Sequence, residues 1–506
     1  MSDYSQDLKV KLFPVSTGKF VCVLNEIDAK EFGVFAGDRV EIENKRTKKR
    51  CVVIIDVTKD FVKEDSIGLF QEVTKSINAN TNDKVNVKPT GRLDSVDLIK
   101  KKLNGEKLSS EELKTIVKDI ADSRLSDIEA SAFMAAVYMK GFDLEETTSM
   151  TKALIGNGKK INFAVKPIVD KHSIGGVNGR ATMIIVPIVA SAGLYIPKTS
   201  SRSITSAAGT ADAMEILAPI DLSFDKIKSI TKKIGGVITW GGAVDLAPAD
   251  DKIIKIRHPL ALDPEGMLIA SVLAKKASVG SKYVVIDIPV GENVKIKDKK
   301  KALAMAKKFV EVGKENGMEI EAVVTNGDEP SGLAFGPALE TKYAMEILEG
   351  IRFDNLAQKS CELAGALFEL AGVSRRGQGF HKALEILESG QALKKMKEII
   401  KAQGGKVNSS NQIILSGMNK VVKSTEEGVI SKANVKALTT IARTAGAPAN
   451  KLAGLMLHKI EGDKVKKGEV LFTIYAENEI KLASAYNYAM ENNPFTFKKI
   501  ILSTVR

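Results

Sequence analysis

The sequence predicts an α/β multidomain protein: a β-rich, barrel-like N-terminal module, a helical lobe, an α/β lobe, and a C-terminal part that turns β-rich again. Three observations predict it. The chain has 506 residues, enough for about three domains, and its 44% hydrophobic and 27% charged residues are those of an ordinary globular protein. Its hydrophobic period changes from two to helical spacing between Asn86 and Asp94. After Pro167, short continuous apolar runs alternate with helical stretches, as in a sheet covered on both faces.

Each element follows from its local pattern. Residues 8–57 alternate apolar and polar in LKVKLFPV, KFVCVLN, DRVEIEN and RCVVIIDV. Gly and charged turns separate these runs, giving a small β-barrel-like domain over residues 1–86. From Asp94 to Asn157 four segments carry apolar residues at helical spacing, and Ser109 and Ser126 stand at N-cap positions with acids just after them. This is the helical lobe, residues 87–165. The α/β lobe spans residues 166–412. In it PIVDKHS is a short buried strand, and RATMIIVPIVASAGL and ITSAAGTADAMEIL read as helices. VITW, YVVIDIPV and IEAVVTN are strands. Residues 247–279, between two of these strands, are helix-rich and are expected to return to the helical lobe. In residues 413–506, GDKVKKGEVLFTIYA forms a turn and strand pair. The only Trp, Trp240, and the apolar-flanked Cys361 read as core.

Charge and cysteine content narrow the function classes. Of the net +13, residues 1–87 contribute nothing, with 14 basic against 14 acidic residues, whereas residues 351–506 hold 24 against 14. A nucleic-acid enzyme more often places its excess around the working groove, and at 5% aromatics stacking platforms are poor. Neither nucleic acid nor a membrane is therefore an expected partner. Cys22, Cys51 and Cys361 are odd in number and widely spaced, which fits neither a disulfide framework nor a zinc site. No metal site is expected. The opening MSDYSQDLKVKLF lacks the apolar core of a signal peptide, and no apolar run approaches the ~20 residues of a membrane span. A cytoplasmic protein is expected.

Two loops carry residues suited to anions. In Asp170-Lys171-His172-Ser173-Ile174-Gly175-Gly176-Val177, a strand is followed by glycines and then a helix, so backbone N–H groups gather near a helix N-terminus. Lys171 adds a mobile positive charge and Ser173 a hydroxyl. The G-x-x-x-x-G-K-[ST] spacing is missing, and alone this stretch reads equally as a plain Gly-rich turn. The second loop, Ser200 to Asp212, contains six hydroxyls and one arginine in thirteen residues. Hydroxyls and amides satisfy phosphate oxygens without burying a large charge, and the Arg202 fork can grip a phosphate bidentately. Such a loop is also a common helix cap. Two anion-type loops after neighbouring strands favour the functional reading, because in open α/β sheets such loops meet at the carboxyl ends of the strands.

These two stretches together resemble the thymidine/pyrimidine nucleoside phosphorylase family, whose patterns run VDKHS-x-GG and S-x-R-x(6)-G-T-x-D. Here they stand as Val169–Gly176 and Ser200–Asp212. LAPADDKIIKIR, Ser271, Lys275-Lys276 and GDEPSG continue the match in order. The resemblance covers the chain from about Pro89 to its end. It implies a nucleoside phosphorylase/phosphoribosyltransferase-type core of helical and α/β lobes, a C-terminal α+β domain, and phosphorolysis of a glycosidic bond in the cleft between the lobes. Hydroxyls at Ser201, Ser203, Thr205 and Ser206 replace the Gly-rich loop of the pyrimidine branch. They, the N-terminal module, and the stretches Arg257–Gly266 and Val290–Lys295 are similar to the archaeal nucleoside 5′-monophosphate (AMP) phosphorylases. The extra donors make sense if the substrate brings a second phosphate, the nucleotide's own.

The resemblance implies that AMP and phosphate give adenine and ribose 1,5-bisphosphate, with CMP and UMP as further substrates. No cofactor is implied, and inorganic phosphate is the co-substrate. Asp263 is the implied general acid that protonates the leaving base; residue type alone would make it a surface Asp before Pro264. Gly175, Ser201, Arg202, Ser203, Ile204, Thr205, Ser206, Thr210, Ser271 and Lys295 are the implied contacts to nucleotide and phosphate. Lys171, Ser173 and Ser200 are further phosphate candidates. Arg257 and Lys275 match positions that grip the base in the pyrimidine branch. His172 serves equally as a structural group or as one facing base or phosphate. His258, His381 and His458 receive no role. A homodimer, assembling further through the N-terminal module, is expected. The competing enzyme is a thymidine or uridine phosphorylase, which the added hydroxyls and Asp263 count against. An anthranilate-type phosphoribosyltransferase would need an acid cluster for its metal, and none stands out. IEGDKVKKGEVLFTI resembles the hairpin of biotinyl or lipoyl carriers but lacks their lysine-bearing turn.

Overall fold

In the computed structural model, which describes residues 4–175, 178–244 and 247–498, the alternating N-terminal segments close into a six-stranded barrel. Its strands are Gln6–Leu12, Val21–Asn25, Arg39–Asn44, Arg50–Thr58, Ser66–Leu69 and Lys84–Pro89. The first pairs with both the fifth and the last, so no edge is left open. Every second residue points inward: Leu8 and Val10, Cys22 and Leu24, Val40 and Ile42, Val53 and Ile55, Ile67 and Leu69, Val85 and Val87 form the interior. The last strand runs past Asn86 to Pro89 because Val87 completes that interior. Gly176, Val177 and Leu246, which belong to the expected motifs, lie outside the described residues.

The chain divides into two units, Met1–Asn157 with Pro248–Ala270, and Gly158–Ala247 with Ser271–Arg506. In the first, the barrel is followed by helices Asp94–Leu103, Ser110–Ala121, Asp127–Lys140 and Leu144–Asn157, joined by Pro248–Arg257. Ser109 and Ser126 close reciprocal capping boxes with Glu112 and Glu129. Glu129 also pairs with Arg39 of the barrel, and Arg39 Nε donates to the Arg124 carbonyl at 2.5 Å. Lys102 and Glu146 form a buried ion pair at 2.6 Å.

The second unit is built on parallel strands. Glu319–Asn326, Tyr283–Val290 and Val169–Ser173 form one sheet, and Ile196–Ser200 and Gly236–Trp240 another. A parallel bridge between Ile168 and Tyr195 joins them edge to edge. Helices cover both faces, chiefly Ala181–Ser191, Pro337–Leu348, Asn355–Leu370 and Gln391–Gln403, and pack on the strands' apolar residues Val169, Ile196, Ile238 and Val285. Gln403 is fully buried and satisfies the Ile238 N–H and carbonyl at 3.0 Å each, which caps the polar groups of the outer strand. Cys361 is buried in this core, and Trp240 packs against it.

The C-terminal part is α+β. Strands Ala334–Phe335, Gly454–Leu457, Val470–Tyr475 and Asn419–Lys423 form an antiparallel sheet, and Lys464–Val465, Gly428–Ala433 and Phe495–Phe497 a second. Helices Val435–Thr444 and Glu479–Glu491 complete it. The expected turn and strand pair is present as Lys464–Val465 and Val470–Tyr475, but the two strands bond to different partners rather than to each other. One expected helix is mostly absent. ITSAAGTADAMEIL is helical only over Thr210–Met214, because Asp212 accepts from the Ser203 and Gly209 amides at 2.7 and 3.0 Å and fixes the preceding residues as a loop. A Cβ on Gly209 would lie 2.6 Å from the Ser201 carbonyl oxygen, so only glycine allows that approach.

Candidate active site

The five parallel strands of the second unit end at Ser173, Ser200, Trp240, Val290 and Asn326, so the loops after them emerge on one side of the sheet. Chain order along the sheet reverses between Val169–Ser173 and Tyr283–Val290. Ligands of open α/β sheets bind at this kind of switch point. The loops carrying Gly175, Ser201–Ser206 and Lys295 all start at this end.

The first loop is held from below by a buried charge network that motif reasoning missed. Asp170 is 1% exposed and accepts from Lys276 Nζ at 2.5 Å, with Lys198 Nζ at 3.2 Å. Burial works against its charge, but Lys198 and Lys276 prevail and hold its carboxyl below the ordinary range. Asp287 is also held low against burial, by Lys171 and Lys359 and by hydrogen bonds from Thr325 and Ser173. Lys359 lies 3.3 Å and Lys171 3.9 Å from the Asp287 carboxylate. Four ammoniums thus share two carboxylates. Burial pushes Lys171 down to about 8, with Lys359 and Arg180 adding to it and Asp287 opposing, and burial lowers Lys276 as well. Burial and the charges of Lys276, Lys198, Lys171 and Lys275 push His172 well below its usual value, so the ring is neutral at physiological pH.

Beyond Ser173 the chain turns at Gly175, whose φ is +91° and whose N–H donates to Ser173 Oγ at 3.4 Å. Asn178 then staples this loop to the one after Asn326. Its amide donates to the Gly332 and Ala334 carbonyls at 3.1 and 3.0 Å and accepts from the Ser331 N–H at 2.9 Å. Arg180 pairs with buried Glu340 at 2.5 Å, and Glu340 also accepts from the Gly336 N–H.

The Ser/Thr loop presents hydroxyls, and its arginine is engaged by nearby carboxylates. Arg202 forms a bidentate pair with Glu215 at 2.7 and 2.8 Å, reaches Asp212 at 3.2 Å, and lies 5.1 Å from the Trp240 ring centroid. That pairing raises Arg202 further and holds Glu215 down at about 2. In this arrangement the fork fixes its own loop. Ser203 Oγ donates to the Ser206 carbonyl at 2.5 Å, and Ser206 Oγ to the Ala208 carbonyl at 2.8 Å. Ser200 Oγ is buried without a hydrogen-bond partner among the described residues, an unmet donor suited to a ligand oxygen. Ile204 is exposed, and Thr205 is exposed beside it.

The remaining residues divide between the units. Ser271 and Lys275 lie four apart on helix Glu265–Ser278, hence on one face, within the second unit. Ser271 is buried and Lys275 half-buried. Lys295 is exposed in the loop after Val290. Asp263 and Arg257 belong to the first unit, where they form an ion pair. In this arrangement Asp263 accepts from the guanidinium, so donating a proton requires Arg257 to change partner.

Comparison with known proteins follows this anatomy. Residues 96–158 match the model of the glycosyl transferase family helical bundle domain, residues 165–393 that family's a/b domain, and residues 429–495 the pyrimidine nucleoside phosphorylase C-terminal domain. The chain is 44% identical over 492 residues to AMP phosphorylase 1 of Archaeoglobus fulgidus, covering 97% of each chain. It is 42% identical over 502 residues to the AMP phosphorylase of Methanococcoides burtonii, covering 99% of each. Among solved structures, the anthranilate phosphoribosyltransferase of Thermus thermophilus aligns with a TM-score of 0.53 at 18% identity, covering 61% of this chain and 99% of that one, a likeness of fold.

Proposed function

This chain belongs to the AMP phosphorylase family, and from that premise we propose that it cleaves nucleoside 5′-monophosphates with inorganic phosphate. AMP and phosphate give adenine and ribose 1,5-bisphosphate, and CMP and UMP are further substrates. The observation that carries the reading is the convergence of two anion-type loops at the carboxyl end of one sheet, one cationic and one rich in hydroxyls. Two loops suit two phosphates. The buried surplus of ammoniums beneath Lys171 favours the doubly charged inorganic phosphate, with the unengaged Ser200 hydroxyl as its donor and with Ser173 and Gly175 beside it, able to donate once released from Asp287 and from each other. The loop Ser201–Ser206 and Thr210 suit the phosphate that the nucleotide carries.

A phosphate oxygen forms a bond to C1′ as the bond from C1′ to the base nitrogen breaks, and that electron pair leaves with the base. Phosphate is already nucleophilic, so the protein's work is to position it and to stabilise charge. Asp263 supplies the proton that the departing base accepts, a contribution of about 10²–10⁴ in rate. Ser271, Lys275 and Lys295 complete the contacts to nucleotide, and Arg257, once parted from Asp263, is free to meet the base. No cofactor takes part. Incubation with AMP, CMP, UMP, thymidine or uridine plus phosphate tests this: free base is expected from the nucleotides, and release from nucleosides alone would instead identify a pyrimidine nucleoside phosphorylase.

The protein works on small molecules in the cytoplasm, with neither nucleic acid nor membrane as partner. Among the described residues no helix is long and apolar enough to cross a membrane. The dimer assembles further through the barrel, whose Val15, Phe35 and Phe61 are exposed apolar side chains. Removing residues 1–84 should lower the number of protomers measured by light scattering, and an unchanged mass would remove that role.

A further inference from the structure

The C-terminal domain reaches the Ser/Thr loop at three points. Arg443, in the last turn of helix Val435–Thr444, donates to the Ser206 carbonyl at 2.9 Å. Lys451 lies 2.8 Å from Glu215 and 3.2 Å from Asp212. Ala207, 3% exposed, is buried in the domain's own core with Ala442 and Ala445. The Ser206–Ala207 end of the loop is therefore held by that domain, while Ile204 and Thr205 stay exposed, and its base is clamped by a lysine from the same domain.

The charges at these points are unequal. Arg202 and Lys451 balance Asp212 and Glu215, and the four form one neutral cluster. Arg443 is exposed, and the described residues offer it no carboxylate. It adds an uncompensated positive charge at the rim of a loop built from hydroxyls and amides. Such a polar loop has little apolar surface of its own to fix one shape, so ordering it costs conformational entropy that outside contacts must offset.

We propose that Arg443 and Lys451 are positioning residues for the nucleotide's own phosphate. They hold Ser201–Ser206 in the shape that receives it, and so set the preference for nucleotides over nucleosides. The proposal rests on the phosphorylase reading above and goes beyond it by making the C-terminal domain part of substrate selection. Lys451 acts through Asp212 and Glu215, which fix the amides of Gly209 and Ser203 and the Arg202 fork. Arg443 acts on the Ser206 carbonyl, which also receives the Ser203 hydroxyl.

The test uses the full chain with Arg443→Met, Arg443→Lys and Lys451→Met. Steady-state rates are measured with AMP varied at saturating phosphate and with phosphate varied at saturating AMP. AMP binding is followed by calorimetry and melting by scanning fluorimetry. For Arg443→Met, KM and Kd for AMP are expected to rise about tenfold while KM for phosphate stays within about twofold. The melting temperature should stay within about 2 °C because the side chain is exposed. Arg443→Lys should recover most of the AMP affinity, and Lys451→Met should shift KM for AMP in the same direction. An unchanged KM for AMP in Arg443→Met, or equal rises for both substrates, overturns the proposal. A wild-type protein that releases no adenine from AMP removes the phosphorylase reading and the proposal together, whereas normal wild-type release with an unaffected Arg443→Met removes the proposal alone.

Discussion

Replacing Lys171 with Met removes an ammonium that the fold keeps almost fully buried at 4% exposure. Its nearest carboxylate, on Asp287, is 3.9 Å away and is shared with the closer Lys359. The displacement from the ordinary 10.5 to about 8 corresponds to about 3 kcal/mol against the charged form. A phosphate dianion bound beside this amine favours the charged form and restores the proton. At pH 8 about half of the Lys171 amines are neutral, so phosphate binding should take up about half a proton there and close to none at pH 6. Titration calorimetry of phosphate in buffers of different ionisation enthalpy reads this number, after subtracting the known titration of phosphate itself. Lys171→Met should show neither the pH-dependent uptake nor wild-type affinity for phosphate. The same uptake in wild type and Lys171→Met would refute the assignment of phosphate to this amine. The stability sign follows too. The folded value lies below the unfolded one, so the unfolded chain binds more protons between pH 8 and 10.5. Stability from this group therefore rises with pH across that window and is lost as pH falls through about 8.

Three further outcomes are expected. Asp263→Asn should lower kcat by about 10²–10⁴ while AMP binding by calorimetry stays close to wild type; a near-normal kcat removes Asp263 as the acid. Asp170→Asn leaves Lys198 and Lys276 without their shared carboxylate. It should destabilise the protein by about 3–5 kcal/mol in denaturant unfolding, and an unchanged midpoint would show that the network is not electrostatically coupled. Gly179→Ala places a methyl against the Ser331 carbonyl at a φ of +76°. It should cost about 1–3 kcal/mol and lower activity by moving the Gly175 loop; wild-type melting and rate together would contradict this.

Much of the fold is legible in local pattern. The capping boxes at Ser109 and Ser126 follow from a serine three residues before a glutamate. The strands Tyr283–Val290 and Glu319–Asn326 follow from apolar runs bounded by polar turns. Closure of the barrel is not local, since it depends on Gln6–Leu12 meeting Lys84–Pro89 across the whole domain. The Ser/Thr stretch reads as helix from its alanines, yet tertiary contacts to Asp212, Arg443 and Lys451 hold it as a loop. The two anion-type loops were visible as residue types, and the sheet places both at its carboxyl end. The buried network beneath them was not visible, because Asp170, Lys198, Lys276, Asp287 and Lys359 come from five separate segments. Nothing distinguishes those lysines in sequence from solvated ones. Part of the C-terminal positive charge acquires a place in the same way, through Arg443 and Lys451.

In the proposed reaction phosphate, not water, attacks C1′ of a nucleotide. Turnover of AMP with phosphate labelled with ¹⁸O, followed by mass spectrometry of the sugar product, tests it most directly. Ribose 1,5-bisphosphate is expected, with the label retained in the phosphate at C1 and formed in step with adenine. Unlabelled ribose 5-phosphate, or adenine release that does not depend on phosphate, would contradict it.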